Sequence, residues 1–217
     1  MSYQAAIFDL DGTLLDTLDD LADSGNAMLA SRGFPTHPTD AFRHFVGDGV
    51  RVLLERILPK DARDDATIAE CTEIYRDAYM ERWNAKTKPY DGIPEVLDEL
   101  VRREIKLAVL SNKPHDFTLL CIKELVGQWP WHTILGMREG VPKKPDPAGG
   151  FEVAQQLQVT PENCLYIGDT SVDMKTANAA GFHAVGVLWG FRDRAELEES
   201  GAKTIINHPR QLLDLLD

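Results

Sequence analysis

Cysteine is scarce in this chain. Only Cys71, Cys121 and Cys164 occur in 217 residues, an odd number at wide spacing. That pattern excludes a disulfide framework and a cysteine-based metal site, and leaves three reduced, partly buried thiols as the expectation. Basic charge is also short: 23 Lys and Arg face 35 Asp and Glu, for a net charge of −12. Nucleic-acid backbones and anionic membranes need a basic face, so neither is expected as a partner. No stretch approaches the ~18 apolar residues of a membrane span. The N-terminus has no basic region followed by an apolar run; no secretory signal is expected, and the expected compartment is the cytoplasm. Internal repeats and low-complexity segments are absent. The acidic balance still permits a small anionic ligand, because one cation and one Lys make a local positive site on an acidic protein.

What is present is an ordinary globular mixture, 43% hydrophobic and 27% charged, in a length that suits a core plus a small second domain. Residues Gln4 to Leu10 read as a buried strand ending in the polar turn Asp9, Asp11, Gly12. From there to about Pro89 the pattern is helical. Leu18, Leu21, Gly25, Met28, Leu29 and Arg32 share one face of a first helix, with Asp19, Asp20 and Asp23 expected on its polar side. Val50, Leu53, Leu54, Ile57 and Leu58 form a second stripe, opened by Gly47-Asp48-Gly49. Ile68, Cys71, Tyr75, Ala78 and Tyr79 form a third. A helical block between two strand signals reads as an inserted subdomain.

After Gly92 helices and strands alternate. Strands are expected at Lys106 to Leu110, Thr133 to Leu135, Cys164 to Ile167, His183 to Leu188 and Thr204 to Ile206. This order predicts an α/β protein with a doubly wound parallel sheet, whose ligand site lies beyond the carboxyl ends of the strands. Asp9, Asp11, Ser111 and Asp169 all fall at such ends. Carboxylates gathered there repel one another unless a hard cation sits among them, and an all-oxygen set suits Mg²⁺. Lys143 and Lys144, judged by themselves, read as solvated; Lys113 follows Ser111-Asn112 and could approach the site, but a solvated side chain is the expectation. His44 and His115 read as surface or core residues, and Trp129-Pro130-Trp131 as packing.

Four segments carry a family resemblance. Phe8-Asp9-Leu10-Asp11-Gly12-Thr13-Leu14, Ser111-Asn112, Lys144-Pro145-Asp146-Pro147 and Gly168-Asp169-Thr170-Ser171-Val172-Asp173 resemble, in order, the four motifs of the haloacid dehalogenase superfamily. The resemblance implies a Rossmann-like core over residues 1–15 and 90–217 and a small α-helical cap over 16–89. It implies that Asp9 is a nucleophile forming an aspartyl-phosphate, and that Asp11 is the general acid and base. Mg²⁺ would be held by the Asp9 side chain, the Asp11 backbone carbonyl and Asp169, with Asp173 supporting. Ser111 and the Asn112 N–H would bind phosphoryl oxygens. Lys144 would pair with Asp9 and the phosphate.

Asp11 separates phosphate chemistry from the superfamily's dehalogenases. The run His183 to Phe191, with Leu197 to Asn207, resembles phosphoglycolate phosphatases, as does Arg43 to Gly49. The implied substrate is 2-phosphoglycolate or a similar small phosphorylated metabolite. Arg43, Gly47, Gly49 and Arg51 are the candidates for reading its carboxylate. A sugar phosphomutase of the β-phosphoglucomutase type and a pyrophosphatase or broad-range sugar-phosphate phosphatase share the core motifs and stay open as alternatives. A phospho-acceptor receiver domain fits poorly, because this chain is about twice as long and carries the insert. The assembly is expected to be a monomer or homodimer.

Overall fold

The computed structural model describes residues 3–216. The chain divides into two compact units, residues 1–15 with 89–217 and residues 16–88. It opens with β1 (Ala5–Phe8), whose four residues are all buried. A strand buried on both faces belongs inside a sheet covered by helices on either side. A short strand β2 (Leu15–Asp16) leads out of the larger unit.

The 16–88 unit is helical: α1 (Leu18–Ser31), α2 (Phe42–Phe45), α3 (Val50–Ile57) and α4 (Asp65–Met80). The expected stripes point inward, with Leu53, Leu54 and Ile57 of α3 and Ile68, Cys71, Tyr75 and Tyr79 of α4 buried. Asp64 caps α4, accepting from the Thr67 N–H at 3.0 Å. Asp20 departs from expectation. It is 1% exposed rather than part of a polar face. Its carboxylate accepts from the N–H groups of Lys86 and Thr87 and from the Thr87 hydroxyl, at 2.7–3.1 Å. The returning strand-side segment thus supplies the donors that make its burial tolerable. Asp19 is exposed, and Asp23 pairs with Lys86.

The short strand β3 (Lys88–Pro89) pairs with β2 and returns the chain to the larger unit. There α5 (Ile93–Arg102), β4 (Lys106–Pro114), α6 (His115–Leu125), β5 (Trp131–Met137), α7 (Ala148–Leu157), β6 (Cys164–Gly168), α8 (Ser171–Ala180), β7 (His183–Val187), α9 (Arg194–Glu199) and β8 (Thr204–Ile206) follow. The six-stranded sheet runs β5-β4-β1-β6-β7-β8, with every described pair parallel. Strand order reverses beside β1, where Phe8 is in register with Val109 on one side and Ile167 on the other. That is the place where an open α/β sheet offers a crevice for ligand.

β4 continues past the expected stop at Leu110 to Pro114, with a register shift against β5. Gly136 makes this possible. A Cβ there would lie 2.7 Å from the Lys113 carbonyl and 2.6 Å from the His115 Cα, so only glycine lets β5 lie this close. All three cysteines are buried and free. Trp129 and Trp131 pack with their indole N–H groups on Asp98 and the Val126 carbonyl.

Candidate active site

The strand ends around β1 gather four aspartates and two lysines, all in the larger unit. Asp9 leaves β1 with its N–H on the Ile167 carbonyl, and its Oδ1 accepts from Leu10 N–H at 2.7 Å. Asp169 follows β6 and is fully buried, while Asp173 lies in the first turn of α8. One carboxylate oxygen from each of these three falls within 4.8 Å of the others.

Lys144, on the loop before α7, enters this cluster. Its Nζ lies 3.0 Å from Asp9 Oδ1, 2.7 Å from Asp173 Oδ1 and 3.1 Å from the Tyr166 hydroxyl. Only 2% of the Lys144 side chain is exposed. Asn112 holds the loop in place: its amide donates to the Lys144 carbonyl and accepts from the Lys144 N–H. This side-chain role is separate from the backbone role expected of Asn112. Asp173 is also doubly used, its Oδ2 accepting from the Thr170 N–H and hydroxyl.

Asp169 is clamped from two directions that carry no signal in its own motif. Thr13 Oγ1 donates to Oδ1 at 3.0 Å, and the Phe191 N–H donates to Oδ2 at 2.8 Å. The Trp189 indole N–H meanwhile donates to the Thr13 carbonyl. Residues 189–191 therefore lock the loop after β1 to the loop after β6. The only trace of this in the sequence was the Thr of the first motif and the Trp-Gly-Phe run.

Asp11 stands apart from the three-carboxylate cluster. Lys113 Nζ lies 3.0 and 3.2 Å from its two oxygens. The expectation of a solvated Lys113 is overturned, since its side chain is 4% exposed. The extension of β4 carries it inward. Ser111 is also buried, its Oγ accepting from the Lys113 N–H. Lys143 is exposed, as is His44, and His115 accepts from the Gly136 N–H.

Electrostatics follow from burial. Asp9 is raised from 3.8 to about 7, first by desolvation, then by the neighbouring Asp173 charge, with Lys144 opposing. Desolvation, reinforced by Asp173 and Asp9, holds Asp169 well above the carboxylate range. Burial alone would pull Lys144 down, but the Asp173 and Asp9 charges outweigh it and hold it well above an ordinary lysine. In the ionised form that metal ligation requires, four carboxylates against two ammonium groups leave a surplus of two negative charges, and the raised Asp9 and Asp169 show how poorly that surplus is tolerated without a cation. A divalent cation matches that surplus, and oxygen donors of Asp9, Asp169 and Asp173 suit a hard one.

The cap candidates lie in the 16–88 unit. Arg43 pairs with Asp40, and Arg51 with Glu55 and Asp65. Gly47 and Gly49 take φ of 112° and 88°, and Gly49 caps α3. Among the described residues no helix is long and apolar enough to cross a membrane.

Comparison with known proteins agrees with this architecture. Residues 6–187 match the family model described as haloacid dehalogenase-like hydrolase. A phosphoglycolate phosphatase of Pseudomonas putida is 34% identical over 95% of this chain and 77% of its own length. One from Aquifex aeolicus is 33% identical over 97% of this chain and 95% of its own. A solved haloacid dehalogenase-like family hydrolase of Streptococcus pneumoniae superposes with a TM-score of 0.88 at 25% identity, covering 99% of both chains. A doubly wound parallel sheet, strand-end aspartates at its switch point and a family match over most of its length together place this chain in the haloacid dehalogenase-like hydrolase family.

Proposed function

We propose that this hydrolase is a Mg²⁺-dependent phosphomonoesterase acting through an aspartyl-phosphate on Asp9, with 2-phosphoglycolate or a similar small phosphorylated metabolite as substrate. The observation that carries the reading is the buried Asp9–Asp169–Asp173 cluster with Lys144 inside it and Asp11 beside it. The names of the relatives support the substrate class.

Asp9, Asp169 and the Asp11 backbone carbonyl would hold Mg²⁺, with Asp173 in support. The bound ion would neutralise the site's surplus negative charge and that of the incoming phosphate. Asp9 attacks phosphorus, and the P–O bond to the leaving group breaks as the Asp9 O–P bond forms. Asp11 gives its proton to the departing oxygen, then takes one from the water that cleaves the acyl phosphate. Ser111 and the Asn112 N–H hold the phosphoryl oxygens, and Lys144 offsets charge through the transfer. The helical 16–88 unit acts as the cap that selects the substrate, through Arg43, Arg51 or the Gly47–Gly49 turn. The chain works in the cytoplasm.

Phosphate release with Mg²⁺, measured over 2-phosphoglycolate, hexose phosphates, nucleotides and pyrophosphate, tests the reading. Preferred release from 2-phosphoglycolate is expected. Retention of the phosphate by transfer to a second sugar hydroxyl would identify a mutase, and no release from any of these compounds would overturn the proposal.

A further inference from the structure

Lys113 has no role in the chemistry set out above, yet it is among the most deeply placed cations in the protein. Its side chain is 4% exposed and its Nζ reaches both oxygens of Asp11, at 3.0 and 3.2 Å. The backbone beneath it is fixed. The Lys113 N–H donates to Ser111 Oγ, and its carbonyl accepts from Thr118 Oγ1 at 3.2 Å while Gly136 presses against it. Lys113 therefore projects from a rigid strand extension rather than from a loose loop.

Asp11 by contrast has a side chain that is 18% exposed, and among the described residues the hydrogen bonds to its carboxylate come from Lys113. A carboxyl group in a proton-transfer role must keep one oxygen aimed at the reacting atom, and displacement by about 1 Å can cost on the order of 10²-fold in rate. We infer that Lys113 is a positioning residue, holding the Asp11 carboxyl so that it delivers its proton to the leaving-group oxygen. The inference rests on the proposed function of Asp11. Contact with Nζ serves both forms of the group. The ionised carboxylate accepts through either oxygen; the protonated form accepts through its carbonyl oxygen while its O–H donates to the leaving group. In that step the P–O bond breaks, the Asp9 O–P bond forms, and the proton passes from Asp11 to the departing alkoxide, which leaves as an alcohol.

Leaving groups of different basicity separate positioning from a merely structural role. 2-Phosphoglycolate releases an alkoxide that needs the proton, whereas p-nitrophenyl phosphate releases a phenolate that does not. With Mg²⁺ present, Lys113→Met should lower kcat/KM for 2-phosphoglycolate by roughly tenfold or more, part of the 10²- to 10⁴-fold due to general acid catalysis. It should change kcat/KM for p-nitrophenyl phosphate no more than about threefold, because kcat/KM reports only steps through phosphoryl transfer to Asp9. Lys113→Gln, neutral but still a donor, should lose less on the alkyl substrate, and it serves the same test if the Met variant does not fold. Equal losses on both substrates, or none on either, would overturn the inference. If the wild-type protein hydrolysed neither compound, the phosphatase reading would fall instead. The crystal structure of Lys113→Met would then decide the positioning claim: an Asp11 side chain that keeps its rotamer refutes it, and one that turns away or becomes disordered supports it.

Discussion

Gly190→Ala tests whether the segment after β7 sets the position of Asp169. A Cβ at this position would lie 2.3 Å from the Asp169 Cβ and 2.4 Å from the Gly12 carbonyl oxygen. Carbon atoms pack best at about 3.5–4.0 Å, so the new methyl group is more than about 1 Å too close to Asp169. Neither neighbour is the free end of a flexible side chain. Asp169 is held by Thr13 and the Phe191 N–H, and Gly12 belongs to the turn carrying Asp11. Overpacking of this kind costs about 1–3 kcal/mol. At about 2–4 °C per kcal/mol for a protein of this size, the melting temperature should fall by roughly 2–12 °C. The functional loss should be larger in proportion. Displacing Asp169 by about 1 Å should weaken Mg²⁺ binding and lower kcat by on the order of 10²-fold. Gly140→Ala is the control, since a Cβ there meets nothing within 4 Å and only a φ of 76° opposes it. It should cost about 1 kcal/mol and leave kcat intact. Calorimetric melts with and without Mg²⁺, combined with phosphate-release rates, read both effects. A Gly190→Ala protein with wild-type melting temperature, Mg²⁺ affinity and kcat would refute the reasoning.

The pH dependence has a defined sign. Asp9 is raised to about 7 in the folded protein, so its contribution to metal-free stability is present at low pH and is lost as pH rises through about 7. Melts in EDTA should therefore fall between about pH 5 and 8 while Mg²⁺ affinity rises and then levels off, and an affinity flat across that range would contradict the burial argument. Asp9→Asn should abolish turnover and Asp11→Asn should lower it by roughly 10²- to 10⁴-fold, both checked by phosphate release after confirming the fold by circular dichroism. Asp20→Ala strands the Lys86 and Thr87 N–H groups and should destabilise the protein by about 3 kcal/mol in urea titration; a loss below about 1 kcal/mol would mean that water replaces the carboxylate. If the 16–88 unit reads the substrate as proposed, replacing Arg43 or Arg51 by Ala should raise KM for 2-phosphoglycolate more than for p-nitrophenyl phosphate, and equal kcat/KM losses on both would remove these two residues from substrate recognition.

Much of the larger unit was legible along the chain. Short apolar runs ending in polar turns located β1, β4, β6, β7 and β8, and their alternation with helices specified a parallel sheet with a switch point. Local chemistry suffices for this, because a strand buried on both faces must be uniformly apolar, and the residues just beyond it must be polar to face a crevice. The helical stripes of the 16–88 unit were readable for the same reason: a 3.6-residue period is a property of consecutive positions. The limits of β4 were not readable, since Ser111, Asn112 and Lys113 are polar and only the approach of Gly136 from β5 draws them into the sheet.

Pairing across the fold was decided by tertiary structure alone. Nothing near Lys113 in sequence shows that it turns inward to an aspartate 102 positions away, and nothing near Asp20 shows that its donors arrive 66 and 67 positions later. Thr13 and Asp169 meet across 156 positions. A charged or polar side chain reads as surface because burial without a partner is prohibitive, and the partner is supplied by a segment that only the topology brings alongside. The sequence by itself determined which carboxylates stand at strand ends. The fold decided which lysine neutralises each of them, and which backbone N–H groups hold them in place.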